Sequence, residues 1–151
     1  AAYIVSMFEG TIEEVVALAV LMPIVAALGG NVGNQAVTVT VRKLALGQID
    51  WTNALPVIRR ELIISSINGL VMGGIVSVIT LIWYHQFLLG LVIAFAITVN
   101  LALAGLIGSL IPLLIKKLGG DPAIASPLLL TTATDALGFF VFLGLAELVL
   151  V

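Results

Sequence analysis

The chain has no cysteine, so disulfides and cysteine-ligated metals are excluded. It has little charge: 9% of its 151 residues are Asp, Glu, Lys or Arg, where a soluble domain carries about 25%. It has one histidine, which leaves no histidine pair to hold a haem. The net charge is only −2, and no basic tail or cluster offers itself to nucleic acid. No phosphate-cradling Gly-rich Lys motif is present, so these residues are not a primary pump. The N-terminus lacks the positive n-region of a signal peptide.

What the chain does have is apolar length. It is 62% hydrophobic, with mean hydropathy +1.30. Apolar runs near 20 residues recur, which is the pattern of membrane helices. The expected fold is all-α: a polytopic transmembrane helical bundle filling residues 1–151, with no soluble domain and the lipid bilayer as its surroundings. Four spans are expected, over 12–46, 62–83, 88–115 and 122–150. Ala1–Phe8 is too short to cross ~30 Å of hydrocarbon. With no initiating Met and no flanking polar residues, it reads as the end of a partial first span.

Thr11 with Glu14 has the spacing of a capping box. A straight helix over Ile12–Leu46 would be ~50 Å long, so it must protrude, tilt or break. Pro23, Gly29, Gly30 and Gly33 are the breakers in its middle. Asn31, Asn34, Gln35 and Thr38 fall at helical spacing and make one polar face. Arg59, Arg60 and Glu61 precede the next span, which carries Gly69 and Gly73 spaced for close helix approach. Trp83, Tyr84 and His85 suit a membrane interface. The following span carries Asn100 and the small residues Ala102, Ala104, Gly105 and Gly108. Asn68 and Asn100 read as interhelix hydrogen bonds. Asp121 caps the last helix, and Pro122 occupies its first turn.

That last stretch, Asp121–Val151, carries the chemistry. Asp135 is the one ionisable residue that falls deep in the apolar part of a span. An acid there is costly and marks a functional site facing a bundle interior or a wet cavity. Thr131 and Thr132 lie four and three residues before it, on its face. Carboxylate, hydroxyls and the Thr131 carbonyl are the oxygen ligands that hard cations such as Mg²⁺ and Ca²⁺ want. The bland alternative is a protonated acid bonded to a neighbouring Thr or Asn. No Lys or Arg lies at its depth to neutralise it. Taken alone, Gly29–Gln35 reads as helix packing. Its estimated depth, ~16 Å from the basic side against ~20 Å for Asp135, turns it toward a shared pathway. Two Asp135 residues in a symmetric dimer would set −2 against +2.

Enzyme chemistry finds no support. A membrane aspartyl protease needs two acids in its core, and one is found. A membrane serine protease needs an in-membrane His, and His85 is at the edge. The six basic residues fall in two connections: Arg42, Lys43, Arg59 and Arg60 in one, Lys116 and Lys117 in the other. Those connections are expected to be cytoplasmic. Glu9, Glu13, Glu14, His85 and Glu147 then lie outside, as does the C-terminus.

PIVAALGGNVGNQ (Pro23–Gln35), continuing through AVTVTVRKLALG (Ala36–Gly47), resembles the signature segment of the MgtE family of magnesium channels. DPAIASPLLLTTATDALGFF (Asp121–Phe140) resembles that family's last helix. The resemblance implies a homodimer of five-helix subunits, with the first helix cut short here, in the inner cell membrane. It implies a cation pore along the dimer axis, lined by the second and fifth helices, that passes Mg²⁺ into the cytoplasm. It places the central magnesium site at Asp135. It matches Gly30, Asn31, Gly33 and Asn34 to the pore-lining segment, with Thr38 following on the same face. Mn²⁺, Co²⁺ and Ca²⁺ are further candidate ions for that site. The family's cytoplasmic N-terminal region, with its helical domain and CBS pair, is not among these residues. The segment therefore reads as an isolated pore domain, or as a family member without the regulator. A secondary carrier exchanging Mg²⁺ for H⁺ or Na⁺ is the second reading, and a non-transporting membrane subunit the third.

Overall fold

Four long helices dominate the chain, and no strand forms. A computed structural model describes residues 1–151. Two short helices come first, α1 (Ala2–Met7) and α2 (Glu9–Glu14). The long ones are α3 (Ala17–Ala45), α4 (Leu55–Tyr84), α5 (Phe87–Lys117) and α6 (Pro122–Leu150). Each of the four contains a stretch long and apolar enough to cross a membrane. At 29 to 31 residues they span ~45 Å and overreach the ~30 Å of hydrocarbon.

Local chemistry sets the ends of these helices. Asp121 Oδ1 accepts from the Ala123 N–H at 2.9 Å and caps α6, with Pro122 at the first helical position. Beyond α3 and α5 stand Gly47 (φ +67) and Gly119 (φ +84), left-handed positions that glycine takes without penalty. His85 (φ +52) ends α4, and its N–H donates to the Leu81 carbonyl at 2.9 Å.

Between α3 and α4, Asp50 organises a turn. Its Oδ1 accepts from the Thr52 hydroxyl (2.6 Å), the Thr52 N–H (2.8 Å) and the Asn53 N–H (3.1 Å). The Thr52 hydroxyl above all, then the backbone donors, hold its carboxyl below the usual carboxylate range. A depressed pKa stabilises the fold above the unfolded value, and this contribution is lost as pH falls through the folded one. The turn is therefore held at neutral pH and loosens below pH ~4. Asp50→Ala is expected to raise amide exchange at Thr52 and Asn53 at pH 7. Unchanged protection would mean that the turn stands without the carboxylate.

Three expectations are corrected here. The helix expected from Ile12 breaks at Val15–Val16, not at Pro23 or the glycines, and α3 runs through all of them. Gly29 and Gly33 are buried against neighbouring helices, so they act as contact points and not as breakers. Thr11 is not an N-cap. It lies buried inside α2, and the residue before that helix is Phe8, which makes no side-chain cap. The Phe8 ring instead packs edge-on against Phe140 of α6, with centroids 6.1 Å apart, which fixes the entry of the chain. Arg59, Arg60 and Glu61 do not precede the next helix but lie within it. α4 starts at Leu55 with a proline in its first turn, so its basic end projects past the apolar stretch.

α5 is the centre of the bundle. Half of its most apolar stretch is buried, against 22–28% in the other three long helices. It packs along α3, α4 and α6, while α4 leans almost entirely on α5. The α4–α5 seam is made of small residues. Gly69 abuts the Thr98 backbone, Gly73 abuts the Ala94 carbonyl, and Gly105 abuts Ser65. The Thr98 hydroxyl crosses the seam to the Gly69 carbonyl at 3.2 Å. The buried face of α4 thus reads Glu61, Ser65, Gly69, Gly73, Val76, Thr80. Its exposed face reads Ile63, Ile67, Leu70, Val71, Val78, Ile82. Small and polar inside with branched aliphatics outside is the arrangement of a helix solvated by lipid.

Candidate ion-binding site

Asp135 falls next to the midpoint of α6, and Asn31 at the midpoint of α3. Packing ties the two at one depth. A Cβ placed on Gly33 of α3 would come 2.8 Å from the Leu130 methyls of α6. Gly29 of α3 and Gly138 of α6 both abut the Asn100 amide of α5. Asn31 lies between the first member of each pair, and Asp135 between the second.

The faces then separate. On α6, Leu130, Thr134 and Gly138 turn inward and are buried, whereas Thr131 and Thr132 are exposed. Asp135 is half-buried, on the border between the two. On α3, Gly29, Gly33, Ala36 and Thr40 are buried. Asn31, Asn34, Gln35 and Thr38 are exposed and line one open groove. Gly30 is half-buried, and a Cβ there would meet nothing within 4 Å.

The hydroxyl protons are committed to backbone. Thr131 donates to the Pro127 carbonyl at 3.0 Å, Thr132 to that of Leu128 at 3.1 Å, and Thr38 to that of Asn34 at 2.8 Å. Thr134 donates to the Thr131 carbonyl at 3.2 Å. None of these protons is spent on Asp135, and the hydroxyl oxygens keep lone pairs for an ion or its waters. One chain brings no three carboxylates or imidazoles together, so Asp135 is the single formal charge at this depth. Toward the C-terminal end of α6, Glu9 and Glu13 edge a cleft whose wall includes Phe139, one helical turn beyond Asp135.

One polar residue gains a place that sequence reasoning did not give it, and a second keeps its expected role and gains further contacts. Glu61 is only 7% exposed, inside α4. Its neighbours Arg59 and Arg60 made it look like a flank. The signal was its register with Ser65, Gly69 and Gly73. Asn100 does bridge helices, donating from Nδ2 to the Val25 carbonyl at 2.9 Å. Its contact with glycines of two helices was not legible.

The model of the MgtE family, described as a divalent cation transporter, matches residues 22–145, which hold the α3 groove, Asn100 and Asp135. The chain belongs to the MgtE family. Among its relatives, the magnesium transporter MgtE of Bacillus subtilis is 36% identical over 143 residues, 95% of this chain and 32% of the relative. That of Enterococcus faecalis is 33% identical over 147 residues, 97% of this chain and 32% of the relative. That of Thermus thermophilus is 33% identical over 143 residues, again 95% and 32%. The chain thus spans about a third of the length of the curated relatives it matches. With its four apolar helices, this MgtE segment is a multi-pass membrane protein.

Proposed function

We propose that this segment forms a Mg²⁺ pathway between two copies of itself, with Asp135 holding the ion. One observation carries the reading: the exposed faces of α3 and α4 have opposite chemistry. That of α4 is aliphatic and suits lipid. That of α3 presents Asn31, Asn34, Gln35 and Thr38 at mid-helix. An unsatisfied polar group in hydrocarbon costs several kcal/mol, so this face meets water or protein. Thr131, Thr132 and the flank of Asp135 are its counterpart on α6. A second copy related by a two-fold axis would enclose both surfaces and bring two Asp135 carboxylates to one ion.

Magnesium fits the donors. Mg²⁺ sheds water reluctantly and is usually held through one or two carboxylates with several waters retained. Two Asp135, the Thr131 and Thr132 oxygens and the Asn31 and Asn34 amides would hold a largely hydrated ion. Gly30 keeps the backbone of α3 accessible beside it, while Gly33 lets α6 and α5 approach closely behind. Mn²⁺, Co²⁺ and Ca²⁺ are the competitors. The three relatives named magnesium transporters support the choice of ion.

Direction follows from the charges. Arg42 and Lys43 close α3, and Lys116 and Lys117 close α5. The Lys117 ammonium sits 4.3 Å over the Trp51 ring of the α3–α4 loop, which gathers the two basic connections at one end. We place that end in the cytoplasm, under the positive-inside rule, with the C-terminus outside. Glu9 and Glu13 then edge the outer cleft and raise the local cation concentration at the mouth.

The test is Mg²⁺ uptake into liposomes bearing the full chain. Uptake that persists after proton and Na⁺ gradients are collapsed is the expected result and indicates a channel. Uptake that vanishes with them would make the segment a carrier, and no uptake from a reconstituted dimer would leave it non-transporting. The chain is free of cysteine, so single cysteines report orientation directly. Gln86→Cys is expected to label from outside in intact cells and Gln48→Cys only after permeabilisation. The reverse would invert the topology.

A further inference from the structure

Asn100 lies near the midpoint of α5 and is 0% exposed. Its Nδ2 donates to the Val25 carbonyl of α3, while its Oδ1 is buried with no partner. Two glycines from different helices close on this one amide. A Cβ on Gly29 would lie 2.5 Å from Nδ2, and one on Gly138 would lie 2.8 Å from Nδ2 and 2.9 Å from Oδ1. The amide therefore occupies the space that missing side chains leave on α3 and on α6 together. Gly29 adjoins Gly30 and Asn31. Gly138 lies one turn beyond Asp135.

Asparagine is a costly filler for such a gap. Its unpartnered oxygen loses hydration and gains no bond, whereas an aliphatic side chain of like size would fill the space without that loss. Shape gives the reason for it. An amide is planar and thin enough to stand between two bare backbones, and its bond to Val25 fixes the plane.

We propose that Asn100 is a positioning residue for the ion site. Its amide sets the separation of α3 from α6 at the depth of Asp135, and with it the distance from the Asp135 carboxylate to the Asn31–Asn34 face. This inference rests on Asp135 being the ion site. Mg²⁺ demands near-ideal octahedral geometry, whereas Ca²⁺ accepts six to eight ligands in flexible arrangements. An altered spacing therefore shows first in the preference for Mg²⁺ over Ca²⁺.

The experiment titrates the full chain with Mg²⁺ and with Ca²⁺ by calorimetry, beside its melting temperature and its dimer fraction. Asn100→Leu, which keeps the number of heavy atoms but is bulkier, non-planar and without the bond, is expected to lower the Mg²⁺-over-Ca²⁺ preference at least tenfold in a folded dimer. Gly138→Ala, which drives a methyl into the amide, is expected to move it the same way. The double variant Asn100→Ala/Gly138→Ala, where the methyl takes the vacated space, is expected to recover more preference than either single change. An unmoved preference in folded Asn100→Leu overturns the proposal. Should Asn100→Leu fail to fold, the second pair decides: strictly additive losses overturn the proposal, and recovery supports it. Asp135→Asn is the control. Mg²⁺ binding that survives Asp135→Asn sinks the site itself. Binding lost there, with preference unmoved by Asn100→Leu, sinks the positioning role alone.

Discussion

Asp135→Asn is expected to cut Mg²⁺ affinity and flux at least a hundredfold while leaving the fold intact. The two consequences separate because the residue sits half-buried at mid-helix, where no threonine hydroxyl donates to it. The substitution abolishes no such hydrogen bond and relieves part of the cost of an acid near the bilayer centre, itself ~2.5–3.5 kcal/mol on insertion scales. The melting temperature should hold or rise. The ion loses much more. A unit charge 4 Å from a divalent cation is attracted by about 2 kcal/mol in bulk water and about 8 kcal/mol at an effective dielectric of 20. A two-fold pathway loses two such attractions, so even the aqueous limit gives a hundredfold or more. Calorimetry and liposome flux on the same preparation check both halves. Equal affinity and flux in variant and wild type would move the selective site to Gly30–Gln35.

Gly108→Leu is expected to do the opposite: little folded protein, whatever the ion. A Cβ at Gly108 would lie 2.5 Å from the Gly33 carbonyl oxygen and 2.9 Å from the Ala36 Cβ, both on α3. Backbone cannot step aside as a rotamer can, so the α3–α5 contact must open. Overpacking of this kind costs ~1–3 kcal/mol and can cost more, and ~3 kcal/mol is worth roughly 6–12 °C in melting temperature for a chain of this length. Gly30→Ala is the partner experiment, since a methyl there meets nothing within 4 Å. It should melt with the wild type yet change flux, because the methyl narrows the face assigned to the pathway. Thermal melts of the two variants, each paired with flux, distinguish a packing glycine from a pathway glycine. A Gly108→Leu protein that melts like the wild type would refute the close approach.

Much of the fold was legible because membrane helices announce themselves by length and apolarity. Small residues did so too: Gly69 and Gly73 sit on the α4–α5 seam, and Gly105 and Gly108 meet neighbouring helices. The breaks were less legible. Pro23 and the α3 glycines look like breakers under rules learned in water, but α3 continues through them, with Gly29 and Gly33 packed against neighbouring helices. The true interruption at Val15–Val16 carries no breaker residue, and nothing in its composition marks it. Asp135 stood out because a lone acid among apolar residues has few bland explanations. Glu61 did not, because its buried surroundings come from α5 and only the bundle brings them together. The Asn100 clasp joins three helices at once, and no local pattern encodes such a meeting.

The position of Asp135 halfway along α6 has an electrical meaning. A divalent ion held beside it as proposed would have crossed about half of the transmembrane field, which amounts to moving one elementary charge through all of it. That is worth ~2.3 kcal/mol per 100 mV, so occupancy from outside would strengthen about fiftyfold for every 100 mV of inside-negative voltage. A site at either surface would be almost blind to voltage. Set at this depth, the same carboxylate would make ion entry a function of how well the cell is energised.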